Sequence, residues 1–156
     1  MTKYWRFYLP AAHPTGLTGQ VGGAIGSEEL KPHLNALFSE MESSDSVAKT
    51  QYRKVFAKQV ETATFQNVSI ELGNVEHTGH VSFYVGDPTG YADNAQTFPD
   101  VVPSTGFSGN YIVPITGLAT SSKGDTLPIW VRQDIPAGAG DDALASFTLK
   151  VRAVKL

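Results

Sequence analysis

Residues 127–138 read LPIWVRQDIPAG, and a second run at 145–156 reads ASFTLKVRAVKL. On an extended backbone Ile129, Val131 and Ile135 fall on one side of the first run, with Trp130, Arg132 and Asp134 on the other. In the second run Phe147, Leu149, Val151 and Ala153 alternate with Thr148, Lys150, Arg152 and Val154. A sustained period of two marks a strand with one face buried. The connection IPAGAGDDALA supplies the Gly and Pro of a hairpin with an elaborated loop, or of a sandwich crossover. Each run carries a Val-Arg pair, apolar to one side and basic to the other, so the two runs read as architecture and not as catalysis.

The same period extends upstream. QYRKVFAKQV (51–60) sets Tyr52, Lys54, Phe56 and Lys58 against Arg53, Val55, Ala57 and Gln59. NVSIELGN (67–74) sets Val68, Ile70 and Leu72 against Ser69 and Glu71, and HVSFYVGD (80–87) places Val81, Phe83 and Val85 together. Gly73-Asn74, Thr78-Gly79 and Asp87-Pro88-Thr89-Gly90 provide turn chemistry around these runs. Residues 87–110 read as a long surface loop with a short strand near 97–102, and YIVPITGL (111–118) as a strand that Pro114 confines to a sheet edge.

The first 46 residues differ in texture. KYWRFYL (3–9) is aromatic and alternating, and TGLTGQVGGAIG (15–26) is Gly-rich and aperiodic, an extended arm. SEELKPHLNALFSEME (27–42) holds the one helical pattern: Leu30, Leu34, Leu37, Phe38 and Met41 share a face, and Ser27, Glu28 and Glu29 resemble a helix cap. Pro32 fits only a first turn, so the regular helix is expected to begin near Lys31 and to end in the polar residues at 43–46. The resulting division is an arm at 1–26, a short helix and linker at 27–46, and a β-sandwich at 47–156. The expected fold is all-β: an antiparallel sandwich, jelly-roll or Ig-like, with one short N-terminal helix and an extended N-terminal arm.

Composition narrows function. A chain of 156 residues fits one domain with a core large enough to stand without staples. With no cysteine, disulfides, Cys-ligated zinc and thiol nucleophiles are excluded. The net charge is −3 and charged residues make up 17%, so the basic footprint of a nucleic-acid binder is missing. No apolar run approaches the roughly 20 residues of a membrane span, and the opening residues have no apolar leader core, which points to folding in the cytoplasm of the producing cell.

Candidate chemistry is sparse. His77-Thr78-Gly79-His80 offers two imidazoles near Asp87, but a metal site needs three or four converging ligands, so a polar surface turn is the default. Asp87, Asp93, Asp100, Asp141 and Asp142 lie outside any calcium-loop pattern. GFSGN (106–110) falls short of a nucleophile elbow, and the Gly-rich arm lacks the strand-then-helix frame of a phosphate loop. No metal, cofactor or catalytic residue is assigned. What remains is aromatic: Tyr4, Trp5, Phe7 and Tyr8 cluster early, and Tyr84, Tyr91, Phe98, Phe107 and Tyr111 follow. These fit core packing, a protein interface or a sugar-stacking platform, with the interface favoured over the sugar.

The two closing runs, LPIWVRQDIPAGA and DDALASFTLKVRA, resemble the apolar-WVR strand, PAGA turn and SFTL-V ending of tailed-bacteriophage virion proteins. The resemblance extends to QVGGAIGSEEL, to LNALF and to YRKVFAKQVETATFQNVSIEL, in the same order along most of the chain. Gln133 and Asp134 depart from the pattern's usual Arg and Thr, and VEHTGH (75–80) is foreign to it. The resemblance implies a non-enzymatic structural protein: a capsid decoration, or cement, protein on the outer surface of the virion. It would bind the major capsid protein as a homo-oligomer, with a trimer favoured. A tail, neck or baseplate component is the nearest alternative, and a carbohydrate-binding module for host attachment comes next. On that reading the contact surface falls in segment 4–26, through Tyr4, Trp5, Phe7, Tyr8, Leu17, Val21 and Ile25. The loop at 87–110 adds Tyr91 and Phe98.

Overall fold

The structure, a computed structural model, describes residues 4–11, 25–30, 48–73, 80–86, 106–109, 112–114, 120–138 and 147–156, with 49, 51 and 112–114 described by backbone alone. Among these residues there are nine strands: β1 Trp5–Pro10, β2 Ile25–Glu29, β3 Lys49–Gln59, β4 Phe65–Gly73, β5 Val81–Val85, β6 Ile112–Pro114, β7 Thr120–Ser121, β8 Thr126–Ile135 and β9 Thr148–Lys155. Sheet A has the order β2-β1-β3-β8-β5. In sheet B, β4 pairs with β6, β7 and β9. Every pairing is antiparallel. A strand has two edges. β9 runs along one edge of β4 from Phe65 to Gly73, so β6 and β7 divide the other.

The long alternating runs pair with each other. β3 and β8 match residue for residue from Lys49↔Ile135 to Lys58↔Thr126, and β9 lies along β4. The inner faces of the two sheets share one core: Leu9, Val55, Ala57, Leu127, Ile129 and Val131 of sheet A meet Phe65, Val68, Ile70 and Leu72 of sheet B. β-Branched and large apolar side chains at every second position favour this arrangement, since each strand removes one full face from water.

β4 departs from strict alternation. Asn67 has φ of 53°, in the left-handed region that Asn tolerates better than most residues. The β4–β9 register shifts between Gln66 and Ser69. The extra residue of this bulge lets odd-numbered Phe65 and even-numbered Val68, Ile70 and Leu72 all face the core.

Gln59 ties the sheets together at one end. Its side chain is fully buried at the end of β3. Ser121 Oγ of β7 donates to Gln59 Oε1 at 2.6 Å, and Gln59 Nε2 donates to the carbonyls of Glu61 (3.1 Å) and Ala63 (2.6 Å). The β7–β8 turn docks on the same residue, with Gly124 N donating to Gln59 O and Gln59 N donating to Asp125 O, both at 2.9 Å. At 98°, the φ of Gly124 calls for glycine in that turn.

Two expectations are revised. Residues 5–10 are not a free arm but β1, an interior strand of sheet A, because the alternation of WRFYLP buries Leu9 and packs Trp5 and Phe7 against the core. Ser27, Glu28 and Glu29 form no helix cap: they lie in β2, paired to β1. The rest of the expected helix, 31–42, and most of the loop at 87–110 lie outside the described residues.

At Gly26 β2 lies tight against β1. A Cβ there would stand 2.9 Å from both Ala11 N and Leu9 O, which are backbone atoms that cannot swing aside. Gly26→Ala is therefore expected to cost about 1–3 kcal/mol. Hydrogen exchange should locate the loss in β2 and β1, while β3 and β8 keep their protection.

Candidate interaction surface

The face of sheet A turned away from the core carries most of the conspicuous chemistry. Register alone brings these side chains together. Tyr84, Trp130 and Lys54 form one row across β5, β8 and β3, and Ser82, Arg132 and Tyr52 form the next. Pro128, Phe56 and Tyr8 form a third across β8, β3 and β1. Directly opposed residues in antiparallel strands share a face, so each row lies on one side of the sheet.

Cations stand over the rings along this face. Lys54 Nζ lies 5.2 Å from the Phe56 ring centroid and 5.4 Å from that of Trp130. Lys58 Nζ lies 6.0 Å from Tyr8, and Arg132 Cζ lies 5.9 Å from Phe107. Lys54, Phe56 and Trp130 retain at most 1% exposure although they point away from the sandwich core. The centre of the face is therefore buried too, and a desolvated cation–π contact is worth about 2 kcal/mol or more.

Toward β5 the face is half exposed. Phe107 leans on Tyr52 (5.7 Å, 55°) and on Tyr84 (6.1 Å, 48°). Gly106, at φ of 86°, brings this segment in over the Tyr84 ring, and Ser108 bridges to Phe83 of β5. Beside these rings Arg132 Nε pairs with Asp134 Oδ2 at 2.7 Å, and Thr50 Oγ1 donates to Asp134 Oδ1 at 2.7 Å. Both carboxylate oxygens of Asp134 are thus engaged, one by Arg132 of its own strand and one by Thr50 across on β3. Such an arrangement can grip a partner through rings and a guanidinium.

Arg53 is the charge turned inward. It lies on the core-facing side of β3 at 3% exposure, and Nη1 donates to the Tyr52 carbonyl at 2.8 Å. Burial pulls its pKa below the ordinary arginine value, but a guanidinium keeps its proton at neutral pH. Among the described residues no group of three or more His, Asp or Glu side chains could hold a metal ion. Among them, too, no helix is long and apolar enough to cross a membrane.

The residues expected to form the contact surface divide into groups. Tyr4 packs edge-on against Phe65 at 5.3 Å, with Lys155 Nζ 5.1 Å from its ring, and Trp5 tilts against Phe65 at 6.4 Å. Phe7 packs on the core beside them. These three side chains pack onto the core more than they face outward. Tyr8 is on the outer face of sheet A, and Ile25 is half-buried in β2. Leu17, Val21, Tyr91 and Phe98 lie outside the described residues. The expected set omitted Tyr52, Lys54, Phe107 and Arg132. Their one sequence signal is that the non-core side of β3 alternates large aromatic and basic residues where an exposed face would carry small polar ones.

No family model matches the chain, and no curated protein or solved structure matches it.

Proposed function

We propose that this chain is a non-enzymatic structural protein of a tailed-bacteriophage virion, a decoration or cement protein that binds the major capsid protein on the outer shell. Its sandwich would be of the jelly-roll or Ig-like kind. The sequence resemblance supplies the particle. One structural observation supports a docking role: the outer face of sheet A gathers Tyr8, Tyr52, Tyr84, Phe107 and Arg132, while both oxygens of Asp134 are already engaged by Arg132 and Thr50. Tyr, Phe and Arg are residues that protein interfaces enrich, and repetition over a shell turns weak individual contacts into avidity.

The test is co-sedimentation of the purified protein with shells of the corresponding capsid protein. Removing residues 1–26 is not a clean probe, since it deletes β1. Point changes on the outer face serve better. Phe107→Ala with Arg132→Ala should lower shell occupancy by about tenfold, a loss ordinary for two interface anchors, with the circular-dichroism spectrum unchanged. If the wild-type protein stays in the supernatant at every concentration, the assignment fails.

A second reading, glycan binding for host attachment, rests on the same Tyr52, Tyr84 and Phe107 rings beside Arg132 and Thr50. The tilts of 55° and 48° between these rings make a poor flat stacking platform. Binding on a glycan array that Phe107→Ala abolishes would favour this reading over the capsid.

A further inference from the structure

Among the described residues each sheet leaves a strand edge open on the same flank, and the two edges carry opposite charge. Among the described residues β2 pairs only with β1, and β9 only with β4. An open edge displays a row of unpaired backbone N–H and C=O groups. On β2, Ser27 and Glu28 are exposed and Glu29 is partly so. On β9, Lys150, Arg152, Val154 and Lys155 are exposed, as is Leu156 just beyond it.

The placement on one flank follows from contacts between the sheets. Lys155 Nζ of β9 reaches Tyr4 Oη at 3.2 Å, just before β1, and β2 is the outer neighbour of β1. On the far side of β4, Ser121 of β7 bonds to Gln59 of β3, and the chain then turns directly into β8. Sheet B therefore overlies sheet A with β9 toward β1 and β2, and with β7 toward β8. Val154, at 50% exposure, and Leu156, at 64%, are the exposed large hydrophobic side chains among the described residues, and both sit on this flank.

We propose that two copies of this chain pair flank to flank about a two-fold axis, the acidic β2 edge of each meeting the basic β9 edge of the other. Charge selects the pairing. Glu29 is already paired with Arg6 of β1, and Arg152 with Glu71 of β4, so the charges left to choose a partner are Glu28 on one edge and Lys150 and Lys155 on the other. Two β9 edges would oppose Lys150 and Lys155 to their own copies, and two β2 edges would oppose Glu28. Only the crossed arrangement places unlike charges together, and like-charge juxtaposition is a common way to reject a wrong register. Because both edges lie on one flank, the contact is isologous and closes at two copies. Edges on opposite flanks would instead build a ring or a filament. Closure covers Val154 and Leu156 and satisfies both backbone rows. This inference does not rest on the capsid reading, and its dimer replaces the trimer that the resemblance favours.

The experiment is sedimentation equilibrium of the full chain, wild type and charge variants. The wild type should approach twice the 16.7 kDa of one chain, and raising the salt to about 0.5 M should weaken the dimer by screening its exposed charges. Glu28→Lys alone and Lys150→Glu alone should each weaken it about tenfold, and the two changes in one chain should restore it, since each altered edge then meets its altered complement. Both positions are exposed, and circular dichroism would verify that each variant folds. A monomer at all concentrations, a closed assembly of another number, or a dimer indifferent to the single reversals would each overturn the proposal. Shell binding is measured separately, so either idea can fail while the other stands.

Discussion

Trp130→Ala should lower the free energy of unfolding by about 3–5 kcal/mol, the range for emptying a buried large side chain. For a chain of this length that corresponds to a fall in Tm of roughly 6–20 °C. The expectation is not obvious from position, because Trp130 points away from the sandwich core, alongside Arg132 and Asp134. Nevertheless it retains 0% exposure, and the Lys54 ammonium lies 5.4 Å from its ring. Truncation leaves a void on the second face of β8 and strips a buried cation of one of its aromatic neighbours. Guanidinium titration followed by far-ultraviolet circular dichroism would measure the loss. A cost below about 1 kcal/mol, typical of surface changes, would mean that this face is open to water and that sheet A has one buried side instead of two.

Gln59→Leu is the second large effect. The substitution keeps the volume but deletes three hydrogen bonds at once. It strands Ser121 Oγ in the interior and takes the donor from the carbonyls of half-buried Ala63 and exposed Glu61. Each buried polar group left without a partner costs about 1–3 kcal/mol, so a total near 3–5 kcal/mol is expected. Gln59→Glu gives a sharper signature. As a carboxylate it still accepts from Ser121 but turns its other oxygen toward two carbonyls; protonated, it can donate to one of them. Burial and that environment raise the folded-state pKa of the introduced carboxyl above its unfolded value. The variant should therefore be most stable below the unfolded pKa and lose stability as pH rises through the raised folded value. The wild type has no such group at that position. Equal pH profiles for Gln59→Glu and wild type would show that residue 59 does not sit in a closed interior.

The longer strands were legible because their apolar residues alternate. β3, β5, β8 and β9 follow a period of two, as does β4 beyond its bulge, and Pro114 does lie in a strand that pairs with β4 alone among the described residues. β2 was not legible. Ile25-Gly26-Ser27-Glu28-Glu29 has poor strand propensity and opens what reads as an amphipathic helix; its extended form comes from partnership with β1, a tertiary effect that overrides local preference. The alternation also misled about faces. It separates the two sides of a strand but cannot tell a solvated side from a second buried one, which is how Trp130 and Lys54 came to be read with the polar set. The candidate contact surface fared worse for the same reason. Trp5 and Phe7 belong to the expected contact surface, yet they pack on the core. The Tyr52–Phe107–Arg132 group depends on register between distant segments, which no local pattern carries.

The bulge at Asn67 bears on how β4 is shared among its partners. By adding one residue to β4 it divides that strand into two phases, with Phe65 and Gln66 paired to β7 and Ser69 to Glu71 paired to β6. β9 alone runs past the kink and pairs with both halves, so the change of phase in β4 is carried into one partner strand and left out of the two short ones.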